Sequence, residues 1–263
     1  MTSAAVAKYV ACARIAMAGA RREPAELYGR VVFFAVILGV FSSLWRAVAE
    51  AGVPIAANPK ALVWYLAATE WIVLSVPQIH LEIQEAIRRG DVVYRLGRPS
   101  SYVLAEFAGG LGVLALRLPF LGVTAFACAL AFTGWMPPLG AVATVVPFGI
   151  VAAALLTALY VWIGVLAFWL QDIWPVFWVW QKLMFVLGGL MLPLELYPRI
   201  VQRVAVLTPF PAMLFGPASF LLETAAITPG VLALKLAFWC VATAVVVQWM
   251  FRRAVAALTV NGG

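Results

Sequence analysis

Charge is scarce in this chain of 263 residues: Asp, Glu, Lys and Arg make up 11% of it, where soluble domains carry about a quarter. So few charges cannot clothe a water-exposed globule. With 65% hydrophobic residues and a mean hydropathy of +1.01, the composition is that of an integral membrane protein. Histidine occurs once, at His80, and cysteine three times, at Cys12, Cys128 and Cys240, far apart in sequence. Nothing in that spacing suggests a metal site or a redox pair, and the cysteines read as small apolar residues packed between helices. The lack of clustered His, Asp, Glu, Ser or Cys also argues against an intramembrane enzyme. No G-x-x-x-x-G-K-[ST] phosphate loop occurs, and no soluble segment approaches the size of a nucleotide-binding domain.

The opening stretch lacks the uninterrupted apolar core of a removable signal peptide, because Lys8, Arg14, Arg21 and Arg22 are spread through its alanines. An acid-free, Arg-bearing opening also fits an organelle presequence. The preferred reading is an amphipathic interfacial helix within residues 1–29, ending at the Glu23-Pro24 break and lying on the anionic leaflet.

What the chain has in abundance is long apolar runs. Six candidate spans follow, at residues 30–49, 61–79, 103–132, 139–169, 174–193 and 231–251. The third and fourth exceed what a bilayer requires, so they tilt, kink at Pro119 and Pro147, or project beyond the headgroups. The expected fold is all-α, one polytopic domain over residues 1–263.

Lys and Arg set the orientation. With the amino terminus inside, the inner segments hold Lys8, Arg14, Arg21, Arg22, Arg30, Arg88, Arg89, Arg95, Arg98, Arg252 and Arg253; the outer ones hold Arg46, Lys60, Arg199 and Arg203. Eleven against four places both termini in the cytoplasm.

The loop after the second span then also lies in the cytoplasm. EIQEAIRRGDVVYRLGRPSS, residues 82–101, holds seven charged side chains. Glu82 and Glu85, and then Arg88 and Arg89, follow one another at three- or four-residue steps, with Ile83 and Ile87 on one face, as a short amphipathic helix requires. Gly90 can end that helix, and Asp91 starts a second turn in which Val92, Val93 and Leu96 can pack down before Arg98-Pro99. Such a helix, held at the membrane face by two spans, suits docking in a groove on another protein. A solvated loop whose arginines only fix topology accounts for the same residues.

GGLMLPLELYPRIVQRVAVLTPFPAMLFGP, residues 188–217, begins as a span and is then cut by Pro193, Pro198, Pro209, Pro211 and Pro217. Arg199 and Arg203 lie one turn apart with Ile200, Val204 and Leu207 opposite, which predicts a short amphipathic helix immersed at the outer face. Residues 193–228 as a whole read as a re-entrant helical hairpin before the sixth span.

Glu70, in the second span, and Glu106 and Arg117, in the third, need partners or water. Glu106 and Arg117 are eleven residues apart, about 16 Å along a helix, so the expected pair is Glu70 with Arg117. That pair reads as a tie between helices ahead of a substrate contact. Lys182 and Lys235 snorkel. Trp162, Trp169, Trp174, Trp178 and Trp180 form an interfacial belt ahead of a stacking platform for a sugar or polyketide, and His80 reads as an interfacial polar residue.

The stretches IQEAIRRGDVVYRLGRPSS, AFWLQDIWPVFWVWQKLMFVLGG and MLPLELYPRIVQRVAVLTPFPAMLFGPASF resemble the permease subunits of ATP-binding-cassette exporters of the second export class, whose relatives export O-antigen, teichoic acid, antibiotics and other envelope compounds. The resemblance runs from residue 28 onward and rests on patterns of Gly, Pro and aromatics. It implies a six-span half-channel in the bacterial inner membrane, with cytoplasmic termini, an interfacial helix, a coupling region at residues 82–98 and the outer hairpin. It assigns Glu82, Glu85, Arg88, Arg89 and Asp91 to the seat on an ATPase, with Tyr94 and Leu96 as its apolar contact. The chain would bind no cofactor and no metal and would be no enzyme by itself. ATP and Mg would belong to a separate ABC ATPase subunit present in two copies. A second permease, similar or identical, would complete the channel, a heterodimer being favoured. Membrane lipids are the other partner, and nucleic acid is not one.

Two transporter classes compete. An importer permease would carry EAA-x-x-x-G, which Glu85-Ala86 and Gly90 approximate, but Ile87 replaces the second alanine and the glycine comes one residue early. An ion-coupled secondary transporter would show internal repeats, and none is convincing. The apolar lining suits lipid-linked, amphipathic or hydrophobic cargo and equally a closed resting channel.

Overall fold

Proline and glycine set most of the helix boundaries. In the computed structural model, which describes residues 3–52, 58–97, 100–222 and 227–261, α1 (Ser3–Ala20) leads through a turn at Arg21 and Arg22 into α2 (Pro24–Glu50). Pro24 stands in the first turn, where its missing N–H has no helical partner to lose. α3 (Pro59–Ser75) starts the same way, and the Asn58 side chain caps it by accepting from the Lys60 amide at 3.0 Å. It ends at Val76, which Pro77 holds extended. The short helices α4 (Ile79–Arg88) and α5 (Val92–Leu96) precede α6 (Tyr102–Thr133), which Gly134 closes in the left-handed conformation. α7 (Leu139–Val165) runs on into a 3-10 turn at Leu166–Phe168. Pro119 and Pro147 lie inside α6 and α7, which continue past them. α8 (Trp174–Leu187), α9 (Arg199–Val206), α10 (Phe210–Met213), α11 (Phe215–Ser219) and α12 (Pro229–Asn261) complete the chain, and the described residues contain no strand.

α3 is the central helix, with every residue from Ala61 to Ile72 buried. Its Trp71 passes between α6 and α7 at two glycines, Gly122 and Gly149, where a Cβ would collide with the indole. The indole Nε1 donates to the Leu118 carbonyl at 2.8 Å. At the periphery, α2 exposes Val32, Phe33, Val36 and Val40, and α12 exposes Leu234, Phe238, Val241 and Val245. Apolar rows of this kind are stable against lipid, not water.

Contacts define two ends of the bundle. At one, Tyr9 accepts from the Ser101 amide at 3.1 Å, Tyr102 stacks on Phe251 at 5.4 Å, and the Trp162 indole donates to the Met250 sulfur at 2.7 Å. α1, α4, the start of α6 and the late part of α12 meet there. At the other, Trp64 donates to the Trp135 carbonyl at 3.0 Å, and Arg46 and Lys60 line a cavity of about 520 Å3.

Two expectations change. Residues 174–193 do not form one long continuous helix: α8 has 14 residues, about 21 Å of helix, short of the roughly 30 Å of a bilayer core, and the unwound chain after it completes the path from the α4 end of the bundle to α9 at the other. Five helical stretches among the described residues are long and apolar enough to cross: Pro24–Glu50, Pro59–Arg88, Tyr102–Thr133, Leu139–Phe168 and Pro229–Ala256. The cause is Gly188-Gly189, the latter at φ +64, where the chain unwinds inside the bundle. Tyr65 donates to the freed Gly189 carbonyl, and Thr69 to that of Leu190 at 2.7 Å, so α3 supplies the hydrogen bonds that lipid cannot. The second change is at the amino terminus. The break runs over Arg21 to Glu23 and α2 starts at Pro24, as the Glu23-Pro24 boundary predicts, but residues 24–29 belong to α2, and α1 is seated on α6, with Ala13 against Gly112 and Ala16 against Gly109.

Candidate functional site

The amphipathic segment after α3 is held at its inner face by four groups. Ile83, fully buried, packs where Gly164 of α7 leaves room; a Cβ there would come within 2.8 Å of it. His80 stacks on Phe177 at 3.9 Å and meets Tyr160 edge-on at 4.9 Å, fully buried, with neither ring nitrogen hydrogen-bonded. That overturns its reading as an interfacial polar residue. The Gln84 side chain accepts from the Ile173 amide at 2.8 Å, joining α4 to the residue that precedes α8. Val92 anchors α5. Glu82 in the first turn of α4 and Arg88 in the last suit the helix dipole.

Gly90, at φ +78, turns the chain between α4 and α5 in a conformation that side chains resist. Beyond it Arg95 bonds Glu106 of α6 at 2.7 Å. Burial works against the charge of Arg95, but the hydrogen bond and the charge of Glu106 outweigh it and hold the guanidinium above its usual range. The two-helix unit is therefore tied to α6, α7 and the α8 approach together.

The outer face carries Glu85, Arg88, Arg89, Asp91 and Tyr94, all exposed, whereas Glu82, also exposed, lines a recess on the α1 and α6 side together with Arg117. Glu85 and Arg89 pair across one helical turn at 2.6 Å. Tyr94 is 80% exposed and Val93 67%, so these two supply the surface its apolar contacts. Leu96 packs against the core instead; it seats the helix, and Val93, expected to pack down, stands where Leu96 was expected. Spacing in VVYRL could not separate them, because a five-residue helix has too few turns to fix a face. Arg98 and Pro99 lie outside the described residues.

Glu70 and Arg117 are not brought together. Arg117 donates to Glu26, which also pairs with Arg30 at 2.8 Å. Glu70 is buried in α3 with no hydrogen bond or ion pair among the described residues. The sequence reading missed this because it placed the start of the first span at residue 30, which left Glu26 outside the membrane helices.

The broken run forms a compact unit of short helices, α9 to α11, that folds back against the bundle. Pro193 and Pro217 are buried, Pro209 and Pro211 half-buried and Pro198 exposed, with Arg199 and Arg203 exposed on α9. Ile200 on the same helix and Leu207 just after it are 72% and 77% exposed, an apolar edge that matches partial immersion in lipid. The chain returns into the bundle where the Phe215 amide donates to the Gly188 carbonyl at 3.1 Å. Phe148 stacks on Phe220 at 5.8 Å, fixing the unit to α7 at the end opposite α4. Residues 223–226 of the expected hairpin lie outside the described residues.

The tryptophans divide. Trp169, Trp174 and Trp178 are exposed, the last with Lys182 above its ring at 4.5 Å, whereas Trp162 and Trp180 pack together at 5.7 Å between helices. Among the described residues no three His, Cys, Asp or Glu side chains are grouped as a metal site requires.

No curated protein matches the chain. A model of the ABC-2 family transporter proteins matches residues 62–262, which takes in most of α3, the α4–α5 unit, the unwound segment and the short helices after it, and α12. The chain belongs to the ABC-2 family of transporter proteins.

Proposed function

We propose that this multi-pass permease forms one half of the channel of an ATP-driven exporter and receives its power stroke through α4 and α5. Family membership supports a permease of an ABC transporter with an ATPase partner in general terms. The export direction, the cytoplasmic position of both termini and of α4, two ATPase copies, a second and different permease, and the bacterial inner membrane are parts of this reading.

The observation that carries it is the form of the α4–α5 surface: two signs of charge and an exposed tyrosine outside, and a bonded, fully packed seat inside. A docked ATPase changes the channel only through differential contacts with two states, and only a rigid lever transmits them. ATP and Mg would be bound by the ATPase subunit, since this chain has no phosphate loop. Cargo is expected to be amphipathic or lipid-linked.

A photo-crosslinking residue at Tyr94 tests the reading in membranes of the native host. The expected product is an adduct with a subunit whose peptides contain a Walker A sequence. No such adduct at Tyr94, or an equal one from Arg199, would overturn it.

A further inference from the structure

At the end of the bundle that carries α1 and α4, a cavity of about 420 Å3 opens between the last turn of α1, the first turn of α2, the α3–α4 bend and α6. Its charged lining is Glu23, Glu26, Glu82 and Arg117. Arg117 is 5% exposed; its Nη2 donates to Glu26, but its Nη1 is buried with no partner. A desolvated guanidinium donor without an acceptor is costly, and such groups in folded proteins are normally satisfied. Arg117 lines the cavity, so one strong donor that the chain leaves unfilled lies at its wall.

Charge balance narrows what could fill it. Among the lining groups and the cation paired with them, Arg30 and Arg117 set two positive charges against the three carboxylates of Glu23, Glu26 and Glu82, an excess of one negative charge. Glu26 is taken by the two arginines, while Glu23 and Glu82 have no ion pair among the described residues. A purely anionic ligand would satisfy Nη1 but meet the two free carboxylates, and a purely cationic one would leave Nη1 bare. A phosphate joined by a short linker to a primary ammonium answers both. The exposed apolar row of α2 begins at Tyr28 and Val32, within two turns of Glu26, and gives acyl chains a surface beside the cavity.

We infer that this cavity binds the headgroup of a phosphoethanolamine lipid, with the phosphate on Arg117 Nη1 and the ammonium against the carboxylates of Glu23 and Glu82. The site joins α1 and α2 to the root of α4. It does not depend on the proposed ATPase, because binding is measured on the permease alone.

The full-length chain in detergent is titrated with phosphatidylethanolamine, phosphatidylglycerol and phosphatidylcholine of identical acyl chains, and lipid adducts are counted by native mass spectrometry. Phosphatidylethanolamine should bind at least about fivefold more tightly than either of the others. Phosphatidylglycerol lacks the ammonium, and the quaternary ammonium of phosphatidylcholine cannot donate to a carboxylate. Arg117→Lys can still pair with Glu26 but has no second nitrogen, and should bring phosphatidylethanolamine down to the level of phosphatidylcholine. Glu23→Gln with Glu82→Gln, both on exposed positions and so safe for folding, should make phosphatidylglycerol the better ligand. Equal retention of the three lipids by the native chain would overturn the inference. So would an unchanged preference in the double Gln variant, or displacement of the lipid by millimolar inorganic phosphate, which would mark a site for a soluble anion.

Discussion

Gln84 on α4 accepts a hydrogen bond from the Ile173 amide at 2.8 Å, and both groups are buried. One bond thus links the amphipathic helix to the residue from which α8 starts. α8 in turn ends at the unwound Gly188-Gly189 that α3 holds through Tyr65 and Thr69. A displacement of α4 has a short covalent and hydrogen-bonded route to the interrupted helix.

Replacing Gln84 with Leu leaves the Ile173 N–H buried without an acceptor, at a cost of about 1–3 kcal/mol. The expected result is a lower thermal midpoint in detergent with normal membrane insertion. Gln84→Glu keeps an acceptor and should recover most of the loss. Identical midpoints for all three proteins would show that the bond contributes nothing.

Glu26→Gln removes the negative charge that pairs with a nearly buried Arg117 and leaves only a neutral acceptor. The cost should be about 1–3 kcal/mol, below that of a fully enclosed pair because Glu26 is 42% exposed. Adding Arg117→Met removes the stranded charge and should restore part of the stability. The cycle is read from thermal midpoints of the two single variants and the double one. Equal, additive losses would mean that the two residues do not act as a pair.

Much of this was legible in the sequence because lipid makes strong demands. Length and hydropathy located α2, α3, α6, α7 and α12, and the spacing of Glu and Arg located α4. What escaped was tertiary. The fifth run is apolar enough, and only the hydroxyls of Tyr65 and Thr69, more than a hundred residues away, let the chain unwind at Gly188-Gly189 instead of continuing as one helix. Arg117 chose Glu26 over Glu70 for a similar reason: which helices are neighbours cannot be read from the spacing within one of them. His80 shows the limit most clearly, since its burial depends on Tyr160 and Phe177 arriving from two other helices.

Single cysteines at Arg89 and Arg199, in a chain with Cys12, Cys128 and Cys240 replaced by alanine, should react with impermeant maleimide from opposite sides of sealed vesicles. Arg89 is expected to be labelled from the cytoplasmic side and Arg199 from outside, following the eleven-to-four division of Lys and Arg. The two sites are on α4 and α9, at opposite ends of the bundle. Labelling of both from one side would contradict the proposed topology and the re-entrant reading of α9 with it.

The α4–α5 surface makes the sharpest demand on the proposed mechanism. Glu82→Lys with Glu85→Lys removes the Glu85–Arg89 pair and sets like charge beside Arg88 and Arg89. Insertion should continue, because the apolar spans are untouched and added positive charge on this side favours the same orientation. Docking should not, since a surface of mixed sign has become wholly cationic but for Asp91. Export should fall to background, with ATPase subunits co-purifying poorly or hydrolysing ATP without transport. The same reversal at Arg199 and Arg203, on α9 at the other end of the bundle, should leave ATPase retention intact. Retained assembly and export in the Glu82 and Glu85 variant would reduce the charged face to a solvated loop, and the lever would have to be sought elsewhere on the chain.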